Sequence, residues 1–335
     1  MSSRLFGVGI ARTALRPEER EILDGRPPRA VILFRRNIED FDQLQSLTAE
    51  IRRLPGPPLL CLDQEGGPVD RLRDILSPSI SFRDAARLKR ARRAGELAGE
   101  ACARLGFDVD LAPVLDRLLP GASERVLRDR CASGDPQEVE RTARDFLQGL
   151  HARGVGACVK HFPGLGRADL DTHKALPRIP QDATEEERDL APFRGTMEEA
   201  GAVMISHAGG TDGRPASLSR HVAHDLLRRT LGFSGATFSD DLEMGALSAF
   251  GDLPQRCVQA SRAGCDLLFV CSRIEVFPDC VAAVEEEVPL ARRREAEIRL
   301  DSYVGGVSTL RATAPRPDRP LAELIADIRQ LNPRA

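Results

Sequence analysis

Short apolar runs alternate along the chain with longer segments of helical pattern. Eight of the runs have the length and composition of buried strands, at residues 5–10, 30–34, 58–63, 108–116, 156–161, 202–208, 235–241 and 265–271. Segments such as 39–54, 135–154 and 219–232 lie between them and are typical of helices. Strands separated by helices pair in parallel through right-handed crossovers. Eight of them favour an α/β fold of the (β/α)8 TIM barrel type over a doubly wound sheet.

The strand and helix alternation ends near residue 275. The remaining sequence is charged and helical, with a Pro-rich stretch at 311–320 and a short amphipathic segment after it. We therefore predict a single domain, with a catalytic barrel over residues 1–275 and peripheral helices over 276–335 packed on it.

Composition and charge narrow the class of protein. The 335 residues are 41% apolar and 30% charged, with a net charge of −3 and both signs interspersed, which indicates no nucleic-acid or membrane partner. No segment reads as a signal peptide or a membrane span. The eight Cys lack any CxxC spacing, and several lie in strand-like runs, so we expect a reducing compartment, the cytoplasm.

Six ionisable residues stand at the ends of predicted strands. They are Asp63, Asp116, Lys160, His161, His207 and Asp240. Because the active site of a barrel lies at the carboxyl ends of its strands, we expect a shared cavity there. The groups expected to point into it are Asp63, Arg71, Arg130, Lys160, His161, Asp171, His173, His207 and Asp240.

Three chemistries could use such a set. A metal hydrolase could use His161, His173, His207 and Asp240 as ligands, but no HxH or HExxH spacing is present. A Schiff-base enzyme could use Lys160 as its nucleophile, but that role needs a depressed pKa, and the neighbouring carboxylates favour the charged amine.

Glycoside hydrolysis by double displacement is the third. It needs a carboxylate nucleophile on a rigid element and an acid/base catalyst roughly 5 Å away. Asp240, at the end of a strand, suits the first role. Asp171 and His173 share a face of an extended segment, so Asp171 can orient the imidazole and stabilise its charged form.

Several motifs in fixed order resemble one known family. They are "LFRRNIED" (33–40), "LDQEGGPVDRL" (62–72), "LAPVLD" (111–116), "KHFPGLG…DTH" (160–173), "PASLS" (215–219) and "LGFSGATFSDDLEMGA" (231–246). Together they resemble the β-N-acetylhexosaminidases of glycoside hydrolase family 3, of the single-domain type that acts in peptidoglycan recycling.

The resemblance implies a role for each matching residue. Asp240 corresponds to the nucleophile, His173 to an acid/base His and Asp171 to its partner. The residues that correspond to ligands of the non-reducing N-acetylglucosamine are Asp63, Arg71, Arg130, Lys160 and His161. We place His207 in the same substrate-binding set, although strand-end His residues also hydrogen-bond neighbouring loops. The expected substrate is a small carbohydrate, with no cofactor and no metal.

The chain departs from the family pattern at three places. Leu165 replaces the second His of the usual "KHFPGHG", and "RCA" (130–132) stands where the family tends to have Arg-Ser-Phe. The insert "RLLPGASERVLRDR" (117–130) also differs from the family's Asn/Pro-rich segment, so Arg128 is a possible substitute for Arg130. Substrate-assisted hydrolysis, transfer to phosphate instead of water, and a sugar-binding protein without turnover stay open as alternatives.

Overall fold

The structure of the protein is a computed structural model that describes residues 2–120, 127–168, 182–209 and 212–334. The strands are β1 (Phe6–Gly9), β2 (Ala30–Ile32), β3 (Leu59–Leu62), β4 (Gln64–Gly66), β5 (Val69–Asp70), β6 (Val109–Asp110), β7 (Gly156–Ala157), β8 (Val159–Phe162), β9 (Ala202–Ile205), β10 (Ala236–Ser239) and β11 (Leu268–Val270). Every predicted strand run therefore contains an observed strand.

Helices connect these strands. They are α1 (Pro17–Gly25), α2 (Phe41–Ile51), α3 (Phe82–Arg87), α4 (Ala91–Arg104), α5 (Pro136–His151), α6 (Ala183–Ala200), α7 (Leu253–Ala263), α8 (Phe277–Glu287), α9 (Leu290–Thr313) and α10 (Leu321–Leu331). The predicted helix at 219–232 is a π-helix, His221–Thr230, so it has the wider i→i+5 pattern.

Parallel pairing sets the architecture. One sheet runs β11-β1-β2-β3-β6-β7 and a second runs β10-β9-β8, and all of their ladders are parallel. β7 and β8 are two halves of one run interrupted at Cys158, and a bridge between Phe238 and Leu267 links β10 to the segment entering β11. The α/β prediction is confirmed, and the strands follow the order of a TIM barrel, although the hydrogen bonding forms two sheets and not one continuous ladder.

Burial explains why these runs form strands. β1, β2, β3, β9, β10 and β11 are buried along their whole length, as expected for a parallel sheet covered on its faces by helices. Their side chains belong to one contiguous apolar core that continues into the surrounding helices.

The helices after residue 275 lie against the strands. The Tyr303 hydroxyl of α9 donates a hydrogen bond of 2.8 Å to the carbonyl of Ala157 in β7. Buried Asp266 pairs with Arg292 and Arg299 of the same helix at 2.9 and 3.3 Å. The boundary at residue 275 stays a prediction.

Two further observations concern the cysteines and the helices. All eight Cys are buried and free. Across the described ranges, no helix combines the length and the apolar character that crossing a bilayer requires.

Candidate active site

A cavity of about 330 Å³ opens at the carboxyl ends of the strands. It brings together six of the predicted site residues, which are Asp63, Arg71, Arg130, Lys160, His161 and Asp240. Glu65 and Asp241 complete its polar lining, and the apolar wall includes Phe34, Leu127, Leu165, Met204 and Met244. Asp171 and His173 lie outside the described residues.

Lys160 is held between two carboxylates at the base of the cavity. Its Nζ lies 2.7 Å from Asp63 Oδ1 and 2.6 Å from Glu65 Oε1, and its side chain is almost fully buried. Burial disfavours the charged amine, but the two carboxylates outweigh it and raise the pKa of Lys160. A permanently protonated ammonium cannot attack a carbonyl, so the geometry argues against the Schiff-base alternative.

Glu65 lines the cavity although the sequence analysis does not single it out. Its carboxylate receives two parallel hydrogen bonds from Arg130, with Nε to Oε2 at 2.7 Å and Nη2 to Oε1 at 2.9 Å. Although burial opposes ionisation, Arg130 and Lys160 lower the pKa of Glu65 to about 2. Glu65 therefore carries a fixed negative charge that holds two cations at the cavity wall.

A tight turn places Glu65 there. β4 carries the side chain and pairs with β5 in a short antiparallel hairpin. Gly66 has φ +83°, and a Cβ at this position would lie 2.1 Å from the Ile80 carbonyl oxygen. The paired glycines of "DQEGG" were the available signal, because only glycine fits this close approach.

Arg130, and not Arg128, reaches the cavity. Arg128 is exposed and does not line it. The Arg130 Nη2 also lies 3.2 Å from His161 Nε2. Because a guanidinium can only donate hydrogen bonds, His161 Nε2 is the acceptor.

That contact and a second one to Asp116 orient His161. With Nε2 accepting from Arg130, Nδ1 donates to Asp116 Oδ2 over 2.6 Å. The other oxygen of Asp116 accepts a 2.6 Å hydrogen bond from the backbone N–H of Leu165. Buried Asp116 therefore orients His161 and anchors the chain that follows it.

Arg71 has two contacts at the cavity rim. Its Nη2 donates to Asp63 Oδ2 over 3.1 Å, and its guanidinium lies 5.7 Å from the centre of the Phe34 ring. Arg71 is thus a structural partner of Asp63 that also faces the cavity. Although burial opposes ionisation, Lys160 and Arg71 together lower the pKa of Asp63.

Asp240 directly follows β10 and lines the same cavity. Its backbone N–H donates to the Ile205 carbonyl over 3.1 Å, and its Oδ1 accepts from the Asp241 N–H over 2.8 Å. Burial works against ionisation, but the nearby His207 and His161 rings, that N–H and the Lys160 ammonium lower the pKa of Asp240. Asp240 is therefore a carboxylate at neutral pH.

Asp241 differs from its neighbour in charge. Its Oδ1 accepts from the Glu243 N–H over 3.1 Å. Burial, together with the negative charges of Glu243 and Asp240, raises the pKa of Asp241 to about 7. Of the two adjacent acids, Asp240 has the properties of an anionic nucleophile.

His207 lies next to the turn that carries Asp240. Its side chain is fully buried, and it is not among the described residues that line the cavity. Its Nδ1 lies 2.7 Å from Ser217 Oγ, and its Nε2 lies 2.8 Å from the Asp241 carbonyl oxygen. The assignment of His207 to substrate binding stays a prediction.

Leu165 stands where the family pattern "KHFPGHG" has its second His. It is buried and belongs to a small apolar cluster with Leu127, Cys131, Ala168 and Ala208. One edge of this cluster faces the cavity, because both Leu127 and Leu165 line it. An apolar wall thus stands where the family pattern has an imidazole.

Comparisons with known proteins agree with this geometry. Residues 5–303 match the N-terminal domain of glycosyl hydrolase family 3. A beta-hexosaminidase of Actinobacillus succinogenes is 38% identical over 302 residues, which cover 86% of this chain and 85% of the relative.

Solved structures of similar proteins also point to glycoside hydrolase family 3. A family 3 beta-N-acetylglucosaminidase from Paenibacillus superposes with a TM-score of 0.86 at 29% identity, over 99% of this chain and 68% of the other. NagZ from Neisseria gonorrhoeae, in complex with N-trifluoroacetyl-D-glucosamine, has a TM-score of 0.76 at 29% identity and covers 92% and 96%. The chain is an enzyme of glycoside hydrolase family 3.

Proposed function

We propose that the protein is a retaining exo-β-N-acetylglucosaminidase that removes a terminal non-reducing N-acetylglucosamine. The observation that carries the proposal is the position of Asp240, which directly follows β10 and lines the same cavity as Arg71, Arg130 and Lys160. The names of the relatives support the choice of sugar, since they are hexosaminidases and one is seen with an N-acylglucosamine.

The charged wall suits a single sugar unit. Hydroxyl groups both donate and accept hydrogen bonds, and the wall offers donors on Arg71, Arg130 and Lys160 and acceptors on Asp63. The cavity of about 330 Å³ is small for a ligand site, whose usual range is about 300–1,000 Å³. Such a volume favours one terminal sugar unit over a long oligosaccharide. We base the proposed exo specificity on this volume.

In the proposed reaction, Asp240 attacks the anomeric carbon while the protonated His173 donates its proton to the leaving oxygen. His173, oriented by Asp171, then removes a proton from water, and that water opens the glycosyl-enzyme with net retention. Asp63 and Glu65 pair with Lys160 and Arg130 and hold these two cations in position before the sugar binds. The cations can then donate hydrogen bonds to the sugar hydroxyls. We extend the proposal to substrates derived from peptidoglycan, following the family resemblance.

The test compares two adjacent acids. Asp240→Asn is expected to lower kcat for 4-nitrophenyl N-acetyl-β-D-glucosaminide by at least about 10³-fold, since no anionic nucleophile remains. Asp241→Asn is the matched control and should retain most of the activity, because the amide oxygen still accepts from Glu243. Nuclear magnetic resonance of the fresh product should show the β anomer first.

The opposite results would overturn the proposal. Turnover by the Asp240→Asn variant at the wild-type rate would remove Asp240 as the nucleophile. An α anomer as the first product would exclude retention. Binding of N-acetylglucosamine without any turnover by the wild type would favour a sugar-binding protein.

A further inference from the structure

One corner of the cavity combines an apolar surface with a cationic donor. Asp116 holds two of its members, because one carboxylate oxygen accepts from His161 Nδ1 and the other from the Leu165 N–H, each over 2.6 Å. His161 in turn contacts Arg130. Leu165, His161 and Arg130 all line the cavity, and we call them the Leu165 corner.

Leu127 supports the Leu165 corner from within the protein. It directly precedes the short turn Arg128–Arg130, and the Arg130 N–H donates to its carbonyl over 2.8 Å. Leu127 and Leu165 belong to the same apolar cluster. Leu127 is 0% exposed and Leu165 4%, so Leu165 presents the surface and Leu127 backs it. Because both side chains are buried, this surface lies inside the cavity and not at its rim.

Arg130 keeps a donor available beside this surface. Its Nε and Nη2 are bonded to Glu65, and Nη2 also contacts His161. Within the described part of the chain, Nη1 is bonded to no protein atom, and it is not among the buried atoms that lack a partner. A guanidinium only donates hydrogen bonds, so Nη1 can serve an acceptor on a bound ligand.

An N-acyl substituent matches these two properties. The acetamido group of N-acetylglucosamine carries the only methyl group of that sugar, next to a carbonyl oxygen that accepts hydrogen bonds. The sugar hydroxyls need polar partners, and the Leu165 side chain offers none. The aglycone of an exo-acting enzyme extends out of the cavity, so it does not reach a surface at this depth.

We infer that Leu165, backed by Leu127, determines the acyl specificity of the enzyme. Leu165 contacts the methyl group of the acetamido substituent and limits the length of the acyl chain, while Arg130 Nη1 donates to the acyl carbonyl. The inference rests on the proposed N-acetylglucosaminidase function and assigns one substituent of its substrate to one part of the cavity.

The kinetic signature of such a contact is a change in KM. In the proposed double displacement the methyl group takes no part in the bonds that form and break, so its contact is the same in the bound substrate and the transition state. Loss of a contact of this kind raises KM and leaves kcat unchanged. Each buried methylene contributes about fourfold to binding.

The experiment measures kcat and KM for 4-nitrophenyl β-glycosides of N-acetylglucosamine and N-butanoylglucosamine. We define the acyl ratio as kcat/KM for the N-butanoyl substrate divided by that for the N-acetyl substrate. In the wild type the acyl ratio should be at most about 0.1, because an added ethyl group overpacks the wall. Leu165→Ala removes an isopropyl group, so the acyl ratio should rise at least about tenfold, and KM for the N-acetyl substrate should rise about fourfold.

Two further variants and a second leaving group serve as controls. Leu118 packs against the same apolar cluster but is not among the described residues that line the cavity, so Leu118→Ala should keep the wild-type acyl ratio. Phe34→Ala truncates another apolar residue of the cavity lining, and its acyl ratio should also be that of the wild type. Exchange of nitrophenol for 4-methylumbelliferone should affect the wild type and Leu165→Ala equally. If Leu165→Ala fails to fold, Leu165→Val should raise kcat/KM for an N-propanoyl substrate relative to N-acetyl by at least about threefold.

Three results would overturn the inference. They are an acyl ratio that stays at the wild-type value when Leu165 is shortened, an equal rise in Phe34→Ala, and a change in leaving-group preference in place of acyl preference.

Failure of the proposed function looks different. In that case the wild type acquires no label on Asp240, or Asp240→Asn retains turnover. The dissociation constants of free N-acetylglucosamine and N-butanoylglucosamine then test the acyl contact without turnover. Their ratio should respond to Leu165→Ala by the same factor of at least about ten.

Discussion

Replacing the buried acid Asp110 by Asn should make the protein more stable at alkaline pH. Asp110 ends β6 below the active site, is fully buried, and its Oδ1 accepts a 2.9 Å hydrogen bond from the Gln64 N–H. Its Oδ2 has no hydrogen-bond partner in the described part of the chain. Burial, reinforced by the carboxylates of Asp63 and Glu65, raises the pKa of Asp110 from 3.8 to about 7, although the Gln64 N–H and Lys160 oppose the shift.

The direction of the pH effect on stability follows from whether the folded or the unfolded state holds the Asp110 proton. Between pH 3.8 and about 7 the unfolded chain has lost the Asp110 proton, while the folded protein retains it. Raising the pH therefore favours unfolding until both states are ionised above about pH 7. At about 1.4 kcal/mol for each pH unit, the full effect is about 4 kcal/mol, of which roughly 2.7 kcal/mol falls between pH 5 and pH 8.5.

The assay is urea unfolding of the wild type and Asp110→Asn across that pH range. Asn cannot ionise, so its stability relative to the wild type should rise by about 2 to 3 kcal/mol from pH 5 to pH 8.5. The unpaired amide N–H groups add a constant cost of about 1–3 kcal/mol at every pH. Asp145→Asn, at an exposed position, is the control for loss of one charge. A difference in stability that does not vary with pH, or that falls as pH rises, would refute the reasoning.

Three further substitutions test the cavity wall. Glu65→Gln removes the negative charge between Arg130 and Lys160, so it should lower the free energy of unfolding by about 3–5 kcal/mol and raise KM. An unchanged KM would mean that Glu65 does not preorganise the cavity wall. Asp116→Asn removes the anionic acceptor of the His161 Nδ1–H. A lost hydrogen bond costs about 1 kcal/mol, so KM should rise at least about fivefold. Wild-type kinetics would contradict the role of Asp116 in orienting His161. Leu165→His buries an imidazole in an apolar cluster and should cost about 1–3 kcal/mol at neutral pH by denaturant unfolding; unchanged stability would mean that the cluster can open to water.

The strand pattern could be predicted because burial and sequence coincide there. Apolar runs such as "LFGVGI" and "AVMISHA" have no charged position until the strand ends, so the runs and the observed strands β1 and β9 overlap. Asp240 could be predicted for the same reason, as a polar group directly after β10. The helix and strand alternation therefore contains most of the information about the fold.

The hairpin of β4 and β5 could not be predicted in this way. Its residues Gln64, Glu65 and Asp70 are polar yet buried, so neither alternation nor an apolar run marks them. Glu65 pairs with Arg130 and Lys160, which are distant in sequence. A pattern within one segment does not reveal such pairs.

His207 illustrates the same limit at a strand end. Its position after β9 resembles that of the cavity residues, but its direction is set by Ser217 and by the turn after β10. Those contacts exist only once the strands are packed. Strand-end position therefore predicts that a group is near the site, and tertiary contacts decide which way it faces.

The central claim is that Asp240 forms a covalent bond with the sugar. The most direct measurement is the intact mass of the protein after incubation with a 5-fluoro-N-acetylglucosaminyl fluoride, followed by peptide mapping. We predict one added glycosyl group per chain, located on Asp240. Hydrolysis of N-acetylglucosaminides with no label, or with a label on another residue, would contradict the account.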